Sequence, residues 1–453
     1  MNIIIVGDGK VGYTLAQYLS QEDHDITVVD NKRDALAKAV ETLDVMSVRG
    51  NGANVETLLN AGADKADMVI AVTTNDETNM VCCLAAKQLG AKYTIARIRD
   101  PEYTQSMNLL LEKLSIDYVI NPENVAAYEI SRLLRYPFAT DIESFARGRV
   151  EMVEFRVKPD DPIIGHTLID LRSKNPGALY IAAERSGEII IPDGKFIPQA
   201  DDRLFVLAEL ATLTEYFKRL GRSTQRIRSA ILIGGSHIAY YLCRIVSGMG
   251  MRFKIVELKP EKCRDLSEKL PDVVLINGDG TDQELLESEN LRETDALICL
   301  TDRDEENLVT GLYASKVGVK KVIVKVDRLT FMDVLGDMGI DSVVSPKLST
   351  ANEILRLVRA RSHGEQSESS ADKLYRFLDG QMEALEFTAQ EGGSYCHIPL
   401  QYLRLKQGIL IAMLVRKRKV IIPFGVDHIE PGDTVLVIAK SHRLSSLEEA
   451  MRP

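Results

Sequence analysis

One stretch of the chain occurs twice, and this duplication limits the possible folds more than any other feature. Residues 3–15 read IIIVGDGKVGYTL, where an apolar segment runs into a Gly-x-Gly-x-x-Gly loop and then into a helical pattern. Residues 231–242 read ILIGGSHIAYYL and keep only part of that loop. A strand, a glycine loop and a helix in this order predict the first turn of a dinucleotide-binding sheet. We therefore expect two such sheets.

The two copies match well beyond their glycine loops. Matching blocks are GNGAN at 50–54 with GDGTD at 278–282, TTNDETN at 73–79 with TDRDEEN at 301–307, and NPENVAAYEISRLLR at 121–135 with SPKLSTANEILRLVR at 345–359. Within each copy, short apolar strands alternate with helical segments. This alternation predicts parallel strands joined by crossover helices.

A different pattern follows each copy. From Val150 to about Tyr216, apolar and polar residues alternate with a period of two, and turn residues interrupt the strands. The same layout returns from Glu383 to about Leu447, where IIPFG at 421–425 repeats IIPDG at 190–194. Period-two alternation is typical of strands with one buried face. Each α/β copy is therefore expected to carry a small α+β lobe.

The predicted fold class is α/β, with two Rossmann-like doubly wound parallel sheets in tandem repeat, each followed by a small α+β C-terminal lobe. The predicted domains are a first Rossmann-like nucleotide-binding domain at 1–136, a first small α+β lobe at 145–219, a second Rossmann-like domain at 229–360 and a second small α+β lobe at 373–453. The polar segment RSHGEQSESSADK at 361–373 is the best candidate for disorder.

Charge and hydropathy narrow the possible partners and compartment. The 453 residues include 56 Lys and Arg against 66 Asp and Glu, a formal net charge of -10. This balance argues against nucleic acid or an anionic membrane as the main partner, since both are bound through basic patches. Apolar runs such as ILIAMLV at 409–415 fall far below the ~18 residues of a membrane span. No cysteine pair forms a C-x-x-C, and the chain opens directly with a strand, so we expect a reduced, soluble, cytoplasmic protein.

The first glycine loop has the residues that a nucleotide site requires. Gly7 permits a tight turn, Gly9 lets the backbone approach a pyrophosphate, and Gly12 allows the helix to pack close to the strand. The helix that begins near Lys10 would present free N–H groups to phosphate. Asp30 ends the second strand, where a carboxylate can accept hydrogen bonds from ribose hydroxyls and would repel a 2′-phosphate. NAD(H), or an adenine nucleotide such as ATP or ADP, is favoured over NADP.

Further candidate positions lie where the other strands end. Asn51 and Gly52 follow the third strand, and Thr73 and Thr74 follow the fourth. Arg97 ends the fifth strand, where a guanidinium could meet a phosphate. For most of these positions a turn residue or helix cap explains the sequence equally well. Thr73 is favoured as a ligand contact because its hydroxyl lies at the predicted switch-point crevice.

The second loop leaves two interpretations open. Ser236 adds a side chain where the backbone would have to approach a ligand, and Asp302 places a carboxylate in the crevice. Glu257 still offers a ribose acceptor, and Asp279 lies in a turn-like Gly-Asp-Gly. Nucleotide binding and a purely structural copy are equally compatible with these residues.

The sequence offers little support for catalysis. It contains no P-loop, no metal-ligand cluster and no residue pattern to which a catalytic role can be assigned. A dehydrogenase would need a substrate domain, and the two lobes are too small to provide one in an obvious way. An NAD-dependent oxidoreductase with a diverged second domain, and a free-standing nucleotide sensor, stay as alternatives.

The full set of motifs resembles the TrkA family. The motifs are the intact glycine loop with Asp30, TTNDETN, IAR, NPENVAA and the IIPDG lobe, and most of them recur in the second half. The resemblance covers essentially the whole chain and implies a peripheral, nucleotide-binding regulatory subunit of a Trk potassium uptake system. It further implies two regulator-of-potassium-conductance (RCK) units per chain and homotetramers. These would form a ring on the inner face of the plasma membrane, under a channel such as TrkH or TrkG.

The resemblance also assigns residues to two sites. For the first it implies Gly7, Asp8, Gly9, Lys10, Val11, Asp30, Thr73, Thr74 and Arg97. For the second it implies Gly234, Gly235, Ser236, His237, Ile238, Glu257 and Thr301. The helices around Asn124–Arg135 and Ala351–Arg359 are candidates for interfaces between the Rossmann parts, or else ordinary core-facing helices.

Overall fold

The structure is a computed structural model that describes most of the chain. The described residues are 1–22, 24–104, 111, 113–222, 227–248, 250–327, 340, 342–362, 373–378, 380–440, 444 and 446–452. Most of the predicted disordered segment at 361–373 lies outside the described residues.

The first repeat opens with a six-stranded parallel sheet in the order β3-β2-β1-β4-β5-β6. Its strands are β1 (Asn2–Val6), β2 (Asp25–Asp30), β3 (Met46–Arg49), β4 (Met68–Ala71), β5 (Tyr93–Arg97) and β6 (Tyr118–Ile120). Its helices are α1 (Lys10–Leu19), α2 (Arg33–Thr42), α3 (Val55–Asn60), α4 (Asp76–Leu89), α5 (Pro101–Thr104) and α6 (Pro122–Leu133). The order reverses between β1 and β4, so the crevice of the sheet opens at the carboxyl end of β1.

The first lobe is an antiparallel sheet in the order β10-β9-β11-β8-β7. Its elements are β7 (Asp141–Phe145), a 3₁₀ turn (Ala146–Gly148), β8 (Val150–Arg156), α7 (Leu168–Lys174), β9 (Ala178–Arg185), β10 (Glu188–Ile190), β11 (Arg203–Glu209) and α8 (Leu210–Arg219).

The second repeat has the same architecture. Its parallel sheet has the order β14-β13-β12-β15-β16-β17, and its antiparallel sheet has the order β18-β19-β22-β20-β21. The parallel part contains β12 (Ser229–Ile233), α9 (His237–Ile245), β13 (Arg252–Glu257), α10 (Pro260–Lys269), β14 (Val274–Asn277), α11 (Gln283–Ser288), a 3₁₀ turn (Leu291–Glu293), β15 (Ala296–Cys299), α12 (Asp304–Lys316), β16 (Lys321–Lys325), β17 (Ser342–Val344) and α13 (Pro346–Ser362). The lobe contains β18 (Lys373–Phe377), β19 (Met382–Thr388), a 3₁₀ turn (Leu400–Tyr402), β20 (Ile409–Arg416), β21 (Lys419–Ile421), β22 (Thr434–Lys440) and a 3₁₀ turn (Glu448–Ala450). The predicted fold class is confirmed.

Local signals explain where the helices of the first repeat begin and end. The side chain of Asn75 accepts a hydrogen bond from the backbone N–H of Thr78 and caps α4, which ends at Gly90 with a φ of 121°. Asn121 caps α6 in the same way, and Pro122 occupies the first turn, where its missing N–H costs nothing.

The last helix of each parallel sheet packs on the other repeat. Ala126 and Ile130 of α6 share a hydrophobic core with Leu242 of α9. In the same way α13 packs along α1, and its Leu355 lies in one core with Leu15. The helices that the sequence suggested as interfaces therefore face a core, and that core belongs to the opposite repeat.

A buried ion-pair network reinforces the contact between α13 and the first repeat. Glu22, just after α1, accepts hydrogen bonds from Arg359 at 2.6 Å and from Arg376 at 2.6 Å. Both arginines also contact Glu383 at 3.1 Å. Burial of Glu22 acts to raise the pKa of its carboxyl, but the two guanidiniums outweigh burial and lower it. The network ties the second lobe to the first Rossmann-like sheet.

The two lobes also pack against each other. Phe205 and Leu207 from β11 share one core with Phe377 and Met382 from the second lobe. The rings of Phe205 and Phe377 lie 4.9 Å apart. The two halves of the chain thus share cores at both the Rossmann level and the lobe level.

We expect Ile130→Ala to destabilise the whole protein, although it lies in a single helix. Ile130 is fully buried between the repeats, and truncation of a buried isoleucine costs about 2–5 kcal/mol. The midpoint temperature of thermal unfolding should fall by several degrees. Tyr128→Ala, on the exposed side of the same helix, should leave the midpoint nearly unchanged. Equal shifts for both variants would contradict the shared core.

Candidate functional site

The first glycine loop forms a cradle that only glycine can build at two positions. Gly7 has a φ of 102°, and a Cβ there would lie 2.9 Å from the backbone N of Thr73. A Cβ at Gly12 would lie 1.8 Å from the carbonyl oxygen of Gly7, so α1 packs directly on the loop. Above Gly9 the space is open, with no atom within 4 Å of a Cβ position. The loop is thus tight toward the protein and open on the side where a ligand would approach.

The start of α1 is suited to bind an anion. Gly9 precedes the helix and has no side chain to cap it, and the first turn contains no acidic residue. The backbone N–H groups of the first turn are therefore left for a ligand, at the positive end of the helix dipole. Lys10 adds a mostly exposed cation at the same place.

Asp30 is held in position by the loop itself. Its Oδ2 accepts a hydrogen bond from the backbone N–H of Asp8 at 2.7 Å, and its Oδ1 accepts one from the N–H of Lys32 at 2.8 Å. A carboxylate has about four acceptor positions, so each oxygen keeps one for a ribose hydroxyl. The predicted acceptor thus lies beside the predicted phosphate cradle.

A residue that sequence reasoning missed holds the ends of two strands together. Asn79 is fully buried on α4, and its Oδ1 accepts hydrogen bonds from the backbone N–H of Thr73 at 2.9 Å and from its hydroxyl at 2.7 Å. Its Nδ2 donates to the carbonyl of Thr73 at 3.2 Å and to that of Arg97 at 2.8 Å. Asn307 makes the same four contacts around Thr301 and Lys325. The sequence signal for this role is the asparagine that ends both the TTNDETN block and the TDRDEEN block.

Arg97 lies at the end of β5 with an incomplete set of partners. Its side chain is 14% exposed, and the carboxylate of Glu123 is 3.9 Å away. The Nε atom is buried and has no hydrogen-bond partner among the described residues. Burial lowers the pKa of the guanidinium, with Glu123 opposing. A phosphate at the crevice would supply the missing acceptor.

Other predicted positions of the first site have structural roles. The Oδ1 of Asn51 accepts a hydrogen bond from Ala53 N–H at 3.0 Å and so fixes the turn after β3. A Cβ at Gly52 would lie 2.1 Å from a methyl group of Val6, so glycine is needed there for packing. Val11 lies in the first turn of α1 and is buried in the core. The side chain of Thr74 is exposed, and its carbonyl accepts a hydrogen bond from the guanidinium of Arg99.

The second loop reproduces the carboxylate but not the open helix end. Glu257 accepts hydrogen bonds from the N–H of Gly235 at 2.8 Å and of Lys259 at 2.9 Å, as Asp30 does in the first loop. Gly234 again has a positive φ, of 97°. However, Ser236 caps α9 with its own side chain, which accepts a long hydrogen bond of 3.4 Å from Ala239 N–H. The serine therefore engages one of the N–H groups that an anion would otherwise use.

The remaining residues of the second loop separate into exposed and buried ones. His237 is exposed at the start of α9, whereas Ile238 is buried in the core shared with α6. Asp279 is exposed and accepts hydrogen bonds from the N–H and hydroxyl of Thr281 at 2.9 and 2.7 Å. These contacts lower the pKa of the Asp279 carboxyl. They are typical of a turn.

The second crevice differs in charge from the first. Lys325 takes the place of Arg97 and pairs with Asp302 at 3.0 Å, and Asp327 lies 3.8 Å away. Two carboxylates thus face the cation that would otherwise meet a phosphate. The second crevice is less favourable for a polyphosphate than the first.

The two crevices meet at the interface between the repeats. Lys10 from the first loop forms an ion pair of 2.9 Å with Asp327 at the end of the second sheet. Tyr241 from α9 donates a hydrogen bond to the carbonyl of Arg99 at 3.0 Å and accepts one from Asn121 at 2.9 Å. Charge placed at the first loop therefore lies next to the second repeat.

This geometry defines a class of protein with two nucleotide-type α/β sheets, each with an antiparallel lobe, joined in one body. Comparison of the sequence with known families gives the same division. The TrkA-N domain matches residues 3–122 and 230–346, and the TrkA-C domain matches residues 152–221 and 384–452. The chain belongs to the TrkA family, as the sequence motifs predicted.

Curated relatives match over the full length of the chain. The Trk system potassium uptake protein TrkA homolog 2 of Methanosarcina mazei is 34% identical over 463 aligned positions, covering 100% of both chains. The Trk system potassium uptake protein TrkA of Vibrio alginolyticus is 33% identical, covering 100% of this chain and 98% of the relative.

Among solved structures, the fold is similar to that of the GsuK channel. A structure described as the GsuK channel bound to NAD aligns with a TM-score of 0.63 and 18% identity, covering 97% of this chain and 77% of that one. The crystal structure of the GsuK RCK domain aligns with a TM-score of 0.62, also at 18% identity, and 92% of that chain is covered. At this identity the likeness concerns the fold.

No helix in the described ranges is long and apolar enough to cross a membrane. Within the same ranges, no group of three or more His, Cys, Asp or Glu side chains is arranged to hold a metal ion.

Asn79→Ala should lower the stability of the first sheet more than Asn75→Ala does. The first change leaves two carbonyls and one N–H at the strand ends without their partner, at about 1–3 kcal/mol for each group that water cannot reach. The second removes the cap of α4, which is worth about 1 kcal/mol, and an exposed hydrogen bond to Glu77. Thermal unfolding compares the two variants. A smaller shift for Asn79→Ala would contradict its role as the link between β4 and β5.

Proposed function

We propose that this protein is a regulatory subunit of a potassium uptake system and that a nucleotide bound at its first glycine loop is the signal. The observation that carries the proposal is the intact cradle of Gly7, Gly9 and Gly12 beside Asp30. Membership of the TrkA family supports it, because the curated relatives are named as Trk potassium uptake proteins. The nucleotide is bound and released without conversion.

The chemistry of the first crevice favours an adenine nucleotide with a free ribose diol and a diphosphate. Asp30 would accept hydrogen bonds from both ribose hydroxyls, and its charge disfavours a 2′-phosphate. The start of α1 and Arg97 would contact the diphosphate. NAD(H), ATP and ADP share these features. Solved structures of the GsuK channel described as bound to NAD and to ADP support this ligand class.

We assign the first site to Gly7, Asp8, Gly9, Lys10, Val11, Gly12, Asp30, Asn51, Gly52, Thr73, Thr74 and Arg97. A second, weaker site would use Gly234, Gly235, Ser236, His237, Ile238, Glu257, Asp279 and Thr301. The self-capping Ser236 and the pairing of Lys325 with Asp302 support a lower affinity for phosphate there.

The proposed partner is a membrane potassium channel subunit of the Trk type, such as TrkH or TrkG. The subunit would act as a homotetramer in the cytoplasm, peripheral to the inner face of the plasma membrane. Allosteric coupling is typically ~1–3 kcal/mol per site, so four first-loop sites would supply ~4–12 kcal/mol. About 5.5 kcal/mol moves a gate from 1:99 to 99:1, provided that the nucleotide binds the two states with different affinities.

Titration calorimetry with NAD, NADH, ATP and ADP tests the site assignment. Asp30→Ala should weaken binding at the first loop at least tenfold, since hydrogen bonds to a charged group are worth about 1.5–3 kcal/mol each. Glu257→Ala, the matched change in the second loop, should leave that binding within about twofold. If the two variants lost affinity equally, or if Asp30→Ala bound normally, the first loop would not be the principal site.

Recovery of the ligand separates a regulator from an enzyme. The purified protein is incubated with NADH and a range of small carbonyl compounds. We expect the nicotinamide absorbance of NADH to match that of a protein-free control. Sustained oxidation of NADH that depends on Asp30 would instead support the oxidoreductase alternative.

A further inference from the structure

The first loop contains a buried carboxylate. Asp8 is 7% exposed and lies between Gly7 and Gly9 of the cradle. Neither of its two oxygens has a hydrogen-bond partner among the described residues. Burial of an unpaired carboxylate is costly, and such groups are found where a ligand or a proton completes them.

The charges around Asp8 do not compensate for its burial. Asp30 approaches from the end of β2, and its Oδ2 is bonded to the backbone N–H of Asp8. Lys38 from α2 is the nearby cation, but its ammonium lies over the ring of Tyr13 at 4.6 Å from the centroid. Burial first, and then Asp30, raise the pKa of Asp8 to about 6 against the opposing effect of Lys38. Lys10 on α1 is directed to Asp327.

The second repeat shows that the fold does not require this carboxylate. Gly235 occupies the equivalent position, and its N–H bonds to Glu257 as that of Asp8 bonds to Asp30. A Cβ at Gly235 would lie 2.5 Å from a methyl group of Leu266 and 3.1 Å from the carboxylate of Glu257. A side chain at this position is thus adjacent to the acid that would bind the ribose. The same loop and helix form with a glycine there, so Asp8 adds a charge that local structure does not need.

We propose that Asp8 takes up a proton when a nucleotide binds the first loop, and that the neutral acid then completes the ribose contact beside Asp30. The inference rests on the function proposed above. A bound nucleotide would exclude water from both carboxyl groups, and two adjacent carboxylates cannot both stay charged in a dry site. With this proton bound, Asp8 becomes a hydrogen-bond donor. Asp30 stays charged and accepts hydrogen bonds from the ribose hydroxyls. Nucleotide affinity is therefore linked to pH.

The direction of the linkage follows from the free protein. Above about pH 6 the free Asp8 is charged, so binding must take a proton from solution. Affinity falls as pH rises through neutrality, and it levels off below about pH 6, where the proton is already present. At pH 7 roughly 0.9 proton is taken up per nucleotide, for a group with a pKa of about 6 that becomes fully protonated.

Calorimetric titration of the full chain with NAD at about pH 6, 7 and 8 tests the proposal. NAD is the suitable probe because its diphosphate is a diester without a group that titrates near neutrality, unlike the terminal phosphate of ATP. Each titration is repeated in two buffers with different enthalpies of ionisation, which counts the protons bound. We expect affinity to fall by up to about tenfold per pH unit above pH 6, with proton uptake.

Two variants show whether Asp8 is the group that takes up the proton. Asp8→Asn replaces the acid with a neutral side chain that also donates a hydrogen bond, so its affinity should vary less than about twofold over the same range, without proton uptake. Asp34→Asn removes an exposed carboxylate on α2 and should keep the wild-type dependence.

Specific outcomes would overturn the inference. NAD binding by the wild-type protein that is independent of pH and free of proton uptake would overturn it and leave the proposed function intact. Proton uptake that persists in Asp8→Asn would overturn it as well, by assigning the proton to another group. Absence of NAD, ADP and ATP binding at every pH would overturn the proposed function together with the inference. If Asp8→Asn did not fold, the number of protons that the wild-type protein takes up on binding NAD would decide whether the inference holds.

Discussion

The exchange of helices α6 and α13 between the repeats is the constraint on which the rest of the structure depends. A doubly wound sheet needs helices on both faces, and here each sheet receives one covering helix from the other half of the chain. Neither repeat can bury Leu15 or Leu242 fully without its neighbour. The buried network of Glu22, Arg359 and Arg376 adds a second link. Two copies that could have been separate domains are thereby fixed in one arrangement.

That arrangement brings the carboxyl ends of the two sheets together. Lys10 at the first loop meets Asp327 of the second sheet, and Tyr241 of α9 bonds to the backbone beside the first crevice. A diphosphate at the start of α1 would compete with Asp327 for Lys10 and repel that carboxylate. Occupancy of one crevice is therefore expected to alter the contact between the halves. This supplies a physical reason for keeping an altered second copy, since its acidic residues face the intact site.

The sequence predicted the parts of the site that depend on local spacing. The glycines and Asp30 could be identified because a strand, a turn and a helix impose fixed distances among neighbouring residues. The burial of Asp8, the pairing of Lys10 with Asp327 and the exchange of α6 depend on contacts between distant segments, which no local pattern specifies. Asn79 lies between these cases, because its repetition as Asn307 was visible but its four hydrogen bonds were not. The predicted domain boundaries stay predictions, and the one at residue 136 separates segments that share a core.

We expect the second repeat to sense a nucleotide that is bound at the first loop. Amide hydrogen exchange with and without saturating NAD shows whether it does. Exchange should change in α9 and in β16 up to Asp327, as well as in the first loop, and Asp30→Ala should remove both sets of changes. Changes confined to residues 1–104 would show that the second repeat is only a scaffold and would refute this coupling.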